Sequence, residues 1–181
     1  MPTPGKTWYH ITLGTHASWL PGDPRGFRDR KHRIHSGGDH RNPPPVGEHQ
    51  GLYEYNQRHT GAPTLIPAGL RGVVGQKIVD HLLKLEHQAI AISVGGMHAH
   101  LLVELQTDHD KARHDITRCK QAAALAVRGR INGKLWAKNM GQKRVNDRSH
   151  QINVYRYILK HRGRGRGCGI VGGTASGQTE G

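Results

Sequence analysis

Residues 95–105 read Gly95-Gly96-Met97-His98-Ala99-His100-Leu101-Leu102-Val103-Glu104-Leu105, two histidines one residue apart inside an apolar run. The run is short, follows a Gly-Gly turn and alternates, so it predicts a strand at 97–105. Side chains on a strand alternate between faces. Met97, Ala99, Leu101 and Val103 share one face, which is uniformly apolar and must meet a core. His98, His100 and Leu102 share the other. Next neighbours on one strand face stand about 6.6 Å apart at the backbone, and leaning imidazoles can close that gap onto one metal ion. Hydrogen-bonded or exposed histidines are the plainer reading of a lone His-x-His.

The flanking segments supply an architecture. "AIAISV" at 89–94 predicts the hairpin partner of 97–105 across Gly95-Gly96. Val73, Val74, Ile78, Leu82, Leu83 and Leu85 recur at helical spacing, predicting an amphipathic helix over 69–87. A second helix is predicted over 109–129, with Thr107 and Asp110 in capping-box spacing, and a third over 148–161. "WYHITL" at 8–13 alternates as a first strand, and 134–146 has room for a short strand or a hairpin. Strand pairs interleaved with helices predict an α+β fold, an antiparallel sheet carrying packed helices.

Two stretches break the pattern. Residues 20–67 are rich in Gly, Pro and charge without a sustained period, and predict a long irregular insertion. Its Arg, Lys and His content suits a clamp on phosphates as well as a solvated loop. Residues 163–181 read as a flexible Gly-rich tail. One domain over 1–162 accounts for the rest.

Composition narrows the function classes. The 181 residues carry 27 Lys and Arg against 13 Asp and Glu, a net charge of +14 with histidine neutral. Such an excess favours a polyanion, most simply nucleic acid. No apolar run is long enough to span a membrane, and "MPTPGKTWYH" lacks the apolar core of a secretory signal. Cys119 and Cys168 are too few for a disulfide framework and lack metal-pair spacing, so a cytoplasmic protein is expected. Most of the 15 histidines, such as His32, His35, His40, His49 and His59, fall in polar loops where exposure is the default.

The third helix, "HQINVYRYILKH", offers a further ligand and a nucleophile. His150, Asn153, Tyr157 and His161 fall along one helical face. Tyr157 and His161 are four residues apart, one turn on the same face. A phenolate can attack a phosphodiester when a cation polarises the phosphate oxygens. Packing as an ordinary amphipathic core residue is the structural alternative for Tyr157.

These residues together resemble the single-tyrosine HUH transposases of the IS200/IS605 type, including the REP-associated tyrosine transposases. The name denotes histidine, bulky apolar residue, histidine on a strand. Met97-His98-Ala99-His100-Leu101-Leu102-Val103 stands where the family reads like "MPNHVHLLV", and "YILKH" supplies Tyr157, Ile158 and His161 where the family has its nucleophile and third ligand. Tyr155 fits less well, because its i+4 neighbour is Leu159. "WYHITLGTH" is similar to the family's first strand. The resemblance covers roughly residues 7–162, with 20–67 outside it or expanded. This chain departs in having Ala99 at the bulky position, in lacking two residues between the methionine and first histidine, and in having His161 where the family has glutamine.

The resemblance implies a ferredoxin-like (RRM-like) sheet with helices packed on one face, and a homodimer. It implies cleavage and rejoining of single-stranded DNA beside a hairpin, through a 5′-phosphotyrosine on Tyr157. His98, His100 and His161 would hold Mg²⁺ or Mn²⁺. An imidazole third ligand suits Mn²⁺ better than Mg²⁺. Arg162, Arg164 and Arg166 could grip the phosphate backbone. A domesticated relative that binds nucleic acid without cutting it is the main rival, and a structural metal site the second.

Overall fold

The computed structural model describes residues 2–29, 34–37, 42, 44–161 and 168–170. Strand β1 spans Lys6–Gly14, and the short strands β2 and β3 span Arg28–Asp29 and Ile34–His35. Helices α1 and α2 span Gln50–Thr60 and Ala68–Lys84. Strands β4 (Ala89–Val94) and β5 (His98–Gln106) follow, then α3 (His109–Ala126), β6 (Gly141–Arg144), α4 (Arg148–His161) and β7 (Cys168–Ile170).

The main sheet has the order β6-β1-β5-β4-β7, with every neighbouring pair antiparallel. Two β-α-β units, β1-α2-β4 and β5-α3-β6, interleave so that β5 and β1 lie at the centre. That is the ferredoxin-like α+β arrangement. Of the expected Gly-rich tail, Cys168–Ile170 are described, and they pair with β4.

The two faces of the sheet explain both the core and the site. Tyr9, Ile11 and Leu13 of β1 and Ala99, Leu101, Val103 and Leu105 of β5 meet α2 and α3. Helix α2 contributes Leu70, Val74, Ile78 and Leu82, one per turn, and α3 contributes Ala112, Ile116, Cys119 and Ala123. Burying each large aliphatic here contributes about 1.5–3 kcal/mol. On the opposite face a smaller cluster of Ala91, Leu102, Val145, Val154 and Ile158 seats α4. Packing on one face thus describes α2 and α3, while α4 crosses the other face and covers the centre of the sheet. Because β5 is covered on both sides, Ala99 to Leu105 are all buried. A register shift between Ala89 and Ala91 turns both Ile90 and Ala91 toward the α4 cluster.

Local chemistry differs from the sequence expectation at two places. Asp108, not Thr107, caps α3. Its carboxylate accepts from the Asp110 and Lys111 N–H groups, while the Thr107 hydroxyl donates to the Gly5 carbonyl. The 20–67 insertion is not irregular throughout, since it contains α1. That helix buries none of its residues fully and carries few large apolar side chains among Gln50–Thr60, so its apolar signal is weak. It is held by local bonds such as Gln50 Nε2 to Glu54 Oε1, and by Asn56 Nδ2 donating to Pro21 O. Gly22, at φ 89°, brings the chain so close to α1 that a Cβ would lie 2.4 Å from Tyr53 N.

Candidate metal centre

The β1–β5 register sets the site. Thr12 lies opposite His100, and His10 opposite Leu102. Trp8, His10 and Thr12 therefore share a sheet face with His98 and His100, the face crossed by α4. Helix α4 starts where Asp147 Oδ1 accepts from the His150 N–H, and it docks through Val154 and Ile158. With that face against the sheet, its last turns carry Tyr157 and His161 over the two strand histidines.

The ligand nitrogens of His98, His100 and His161 lie within 4.8 Å of one another. Nitrogens bonded to one ion at about 2.1 Å stand no more than about 4.2 Å apart, so small ring rotations bring the three to bonding distance. Ring centroids are 4.9 Å apart for His98 and His100, 5.6 Å for His98 and His161, and 5.0 Å for His100 and His161. The two strand donors match a divalent ion in protonation state as well. Burial, reinforced by His98, His10 and His161, pushes His100 down to about 3. Burial and His161 also lower His98. Both are neutral at pH 7, as a ligating imidazole must be. The three residues can hold a metal ion.

Tyr157 stands against this cluster. Its ring centroid is 5.1 Å from His100, 4.6 Å from His161 and 5.8 Å from His10, each in an edge-on arrangement. It is 44% exposed, so a ligand can reach it. Tyr155 instead packs, half-buried, against the apolar cluster beneath α4. No protein-family model matches the chain, and no curated protein does.

Two residues outside the expected set join the site. His10 Nε2 is 3.2 Å from His100 Nδ1, and Thr12 Oγ1 is 3.3 Å from the same nitrogen. Burial, then His150, Lys143 and His161, lowers His10. Alternation on β1 is the signal that could have found both, since Tyr9, Ile11 and Leu13 claim the core face. That they meet His100 depends on the register. His150, expected on the same helical face as Tyr157, sits near His10 and accepts from the Asn146 N–H at 3.4 Å. Asn153 is exposed. Arg162, Arg164 and Arg166 lie outside the described residues.

Among the described residues no helix is long and apolar enough to cross a membrane.

Proposed function

We propose that this protein nicks and rejoins single-stranded DNA through a 5′-phosphotyrosine formed on Tyr157. The observation that carries the reading is the placement of Tyr157, exposed and edge-on to His100 and His161. Net charge supports a polyanionic substrate. A divalent ion held by His98, His100 and His161 would polarise the non-bridging oxygens of the scissile phosphate. An all-imidazole set of three favours Mn²⁺ over Mg²⁺, which prefers oxygen donors.

The protein's own groups supply the remainder. The Tyr157 oxygen forms a bond to phosphorus as the bond from phosphorus to the 3′ oxygen breaks, and the freed 3′ oxygen leaves as a hydroxyl. A free phenol has a pKa of about 10, so its proton has to be lost during attack. His10, whose pKa burial lowers and which stands outside the ligand set, is the neutral imidazole at hand. Attack by a 3′-hydroxyl on the phosphotyrosine reverses the step and rejoins DNA, with bond energy conserved in the covalent link. The homodimer, the hairpin beside the cut and a backbone grip by Arg162, Arg164 and Arg166 belong to the same reading.

A covalent-adduct assay tests it. Labelled single-stranded DNA from the flanks of the gene, and a random pool, are mixed with protein and Mn²⁺ and run on a denaturing gel. The expected result is a metal-dependent shifted band lost in Tyr157→Phe and His98→Ala. Salt-sensitive binding without a band on either DNA would reject cleavage and leave a nucleic-acid binder.

A further inference from the structure

The segment after β1 carries an aromatic ring built to stay in solvent. Trp19 is 55% exposed. One of its faces is covered by the Arg25 guanidinium, whose central carbon is 4.4 Å from the ring centroid. That guanidinium is held in place. Asp23 takes Arg25 Nε at 2.8 Å through Oδ1 and Nη2 through Oδ2, and also accepts from the Arg25 backbone N–H at 2.9 Å. Arg25 Nη2 donates to Ser18 O at 2.8 Å. The Asp23 side chain is 2% exposed, that of Arg25 46%. A nearly buried carboxylate thus fixes an arginine that in turn fixes an exposed tryptophan. Among the described residues Arg25 Nη1 has no hydrogen-bond partner, which leaves it able to meet a phosphate.

The pair follows the end of the strand that runs beside His98. Gly14 ends β1 opposite His98, and Thr15 N donates to Met97 O at 2.8 Å. Ser18 is pinned to that end, both its N–H and its hydroxyl donating to Thr15 O. Trp19 is the next residue, within about 14 Å of Thr15 even if the chain were fully extended.

We propose that Trp19, backed by Arg25, is a stacking platform for an unpaired nucleobase of a single-stranded nucleic acid. Every base has a π face, so an aromatic ring beside a cation takes single strands with little regard to sequence. The ring is held before the ligand arrives, which lowers the ordering cost of binding. The inference rests on the proposed substrate class but not on cleavage.

The test is fluorescence anisotropy with the full-length protein in EDTA, using a random-sequence single strand and an abasic strand of the same length. Trp19→Ala is expected to weaken binding of the base-bearing strand roughly five- to a hundredfold, and Trp19→Phe to keep most of it. Binding of the abasic strand is expected to be equal in all three proteins. Equal binding of the base-bearing strand by wild type and Trp19→Ala would overturn the proposal. So would an equal loss on both strands, which would mean that Trp19 acts through the fold. The adduct gel is read separately. Trp19-dependent binding without an adduct removes the cleavage reading and keeps the platform, and an adduct without Trp19 dependence does the reverse.

Discussion

His10 Nε2 approaches His100 Nδ1 to 3.2 Å, joining the first strand of the sheet to the buried histidine of the candidate metal centre. With that nitrogen engaged, His100 has its Nε2 left for an ion. A hydrogen bond at one imidazole nitrogen fixes the tautomer and the ring orientation presented by the other. His10 is in this sense a positioning residue. Replacement by Phe should weaken Mn²⁺ binding about 10- to 100-fold in calorimetry, with the thermal transition of the metal-free protein little changed. Gln at this position keeps a hydrogen-bonding group and should recover part of the affinity.

The two tyrosines of α4 should separate cleanly. Tyr157→Phe removes the nucleophile and should abolish adduct formation while leaving stability within about 0.5 kcal/mol, as for other exposed positions. Tyr155→Ala removes a half-buried ring from the α4 cluster and should destabilise the fold by about 1–3 kcal/mol in urea unfolding. Tyr155→Phe should still form the adduct. A gel in which it fails and Tyr157→Phe succeeds would reassign the nucleophile.

The histidine cluster should make the metal-free protein acid-sensitive. An unfolded histidine titrates near pH 6.5, whereas His100 in the fold is pushed down to about 3. Between those values the unfolded chain binds the extra proton, so stability rises with pH across the window. The contribution is complete above about pH 6.5 and is lost as pH falls toward 3. His98 and His10 shift in the same direction and steepen the loss. The urea midpoint should therefore drop from about pH 7.5 to about pH 5, and His100→Gln should flatten that slope. A slope unchanged by the variant would place the acid sensitivity elsewhere.

Lys120 is a buried cation on α3, its Nζ donating to Ala137 O at 2.7 Å and Lys138 O at 3.4 Å, while Trp136 Nε1 donates to Lys120 O. Burial lowers its pKa, with Arg113 adding to the effect. It ties the connection between α3 and β6 to the helix. Lys120→Ala leaves those carbonyls without their donor and should cost about 1–3 kcal/mol. Urea unfolding measures it, and a loss well under 0.5 kcal/mol, roughly, would show that water replaces the ammonium.

Cys119 lies fully buried beside Asp115, and burial first, then that carboxylate, pushes its thiol up to about 12. A thiol so protonated is a poor nucleophile. Alkylation mapped by mass spectrometry should leave Cys119 unmodified in the native protein and label it in urea. Rapid native labelling would mean that α3 opens readily.

Much of this was legible in the chain because each signal was local. Alternation in His98–Leu105 fixes which side chains meet the core, and Val74, Ile78 and Leu82 mark the core stripe of α2, whereas Leu83, taken with them from the sequence, is exposed. His98, His100 and His161 could be picked out from spacing on one strand and one helix. Helix α1 was not legible, because a mostly polar helix set among Gly, Pro and charged residues and burying none of its own fully gives only a weak apolar signal.

The tertiary structure decided what depends on distant residues meeting. Sequence alone determined that His98 and His100 share a strand face and that Tyr157 and His161 share a helix face, since backbone periodicity dictates both. It could not bring those faces together. That follows from α4 seating Val154 and Ile158 on Ala91 and Leu102, on the side of the sheet away from α2 and α3. Nor could it place His10 and Thr12 at His100. Their meeting is set by strand register across nearly ninety residues of chain, and a one-residue slip would have turned both away.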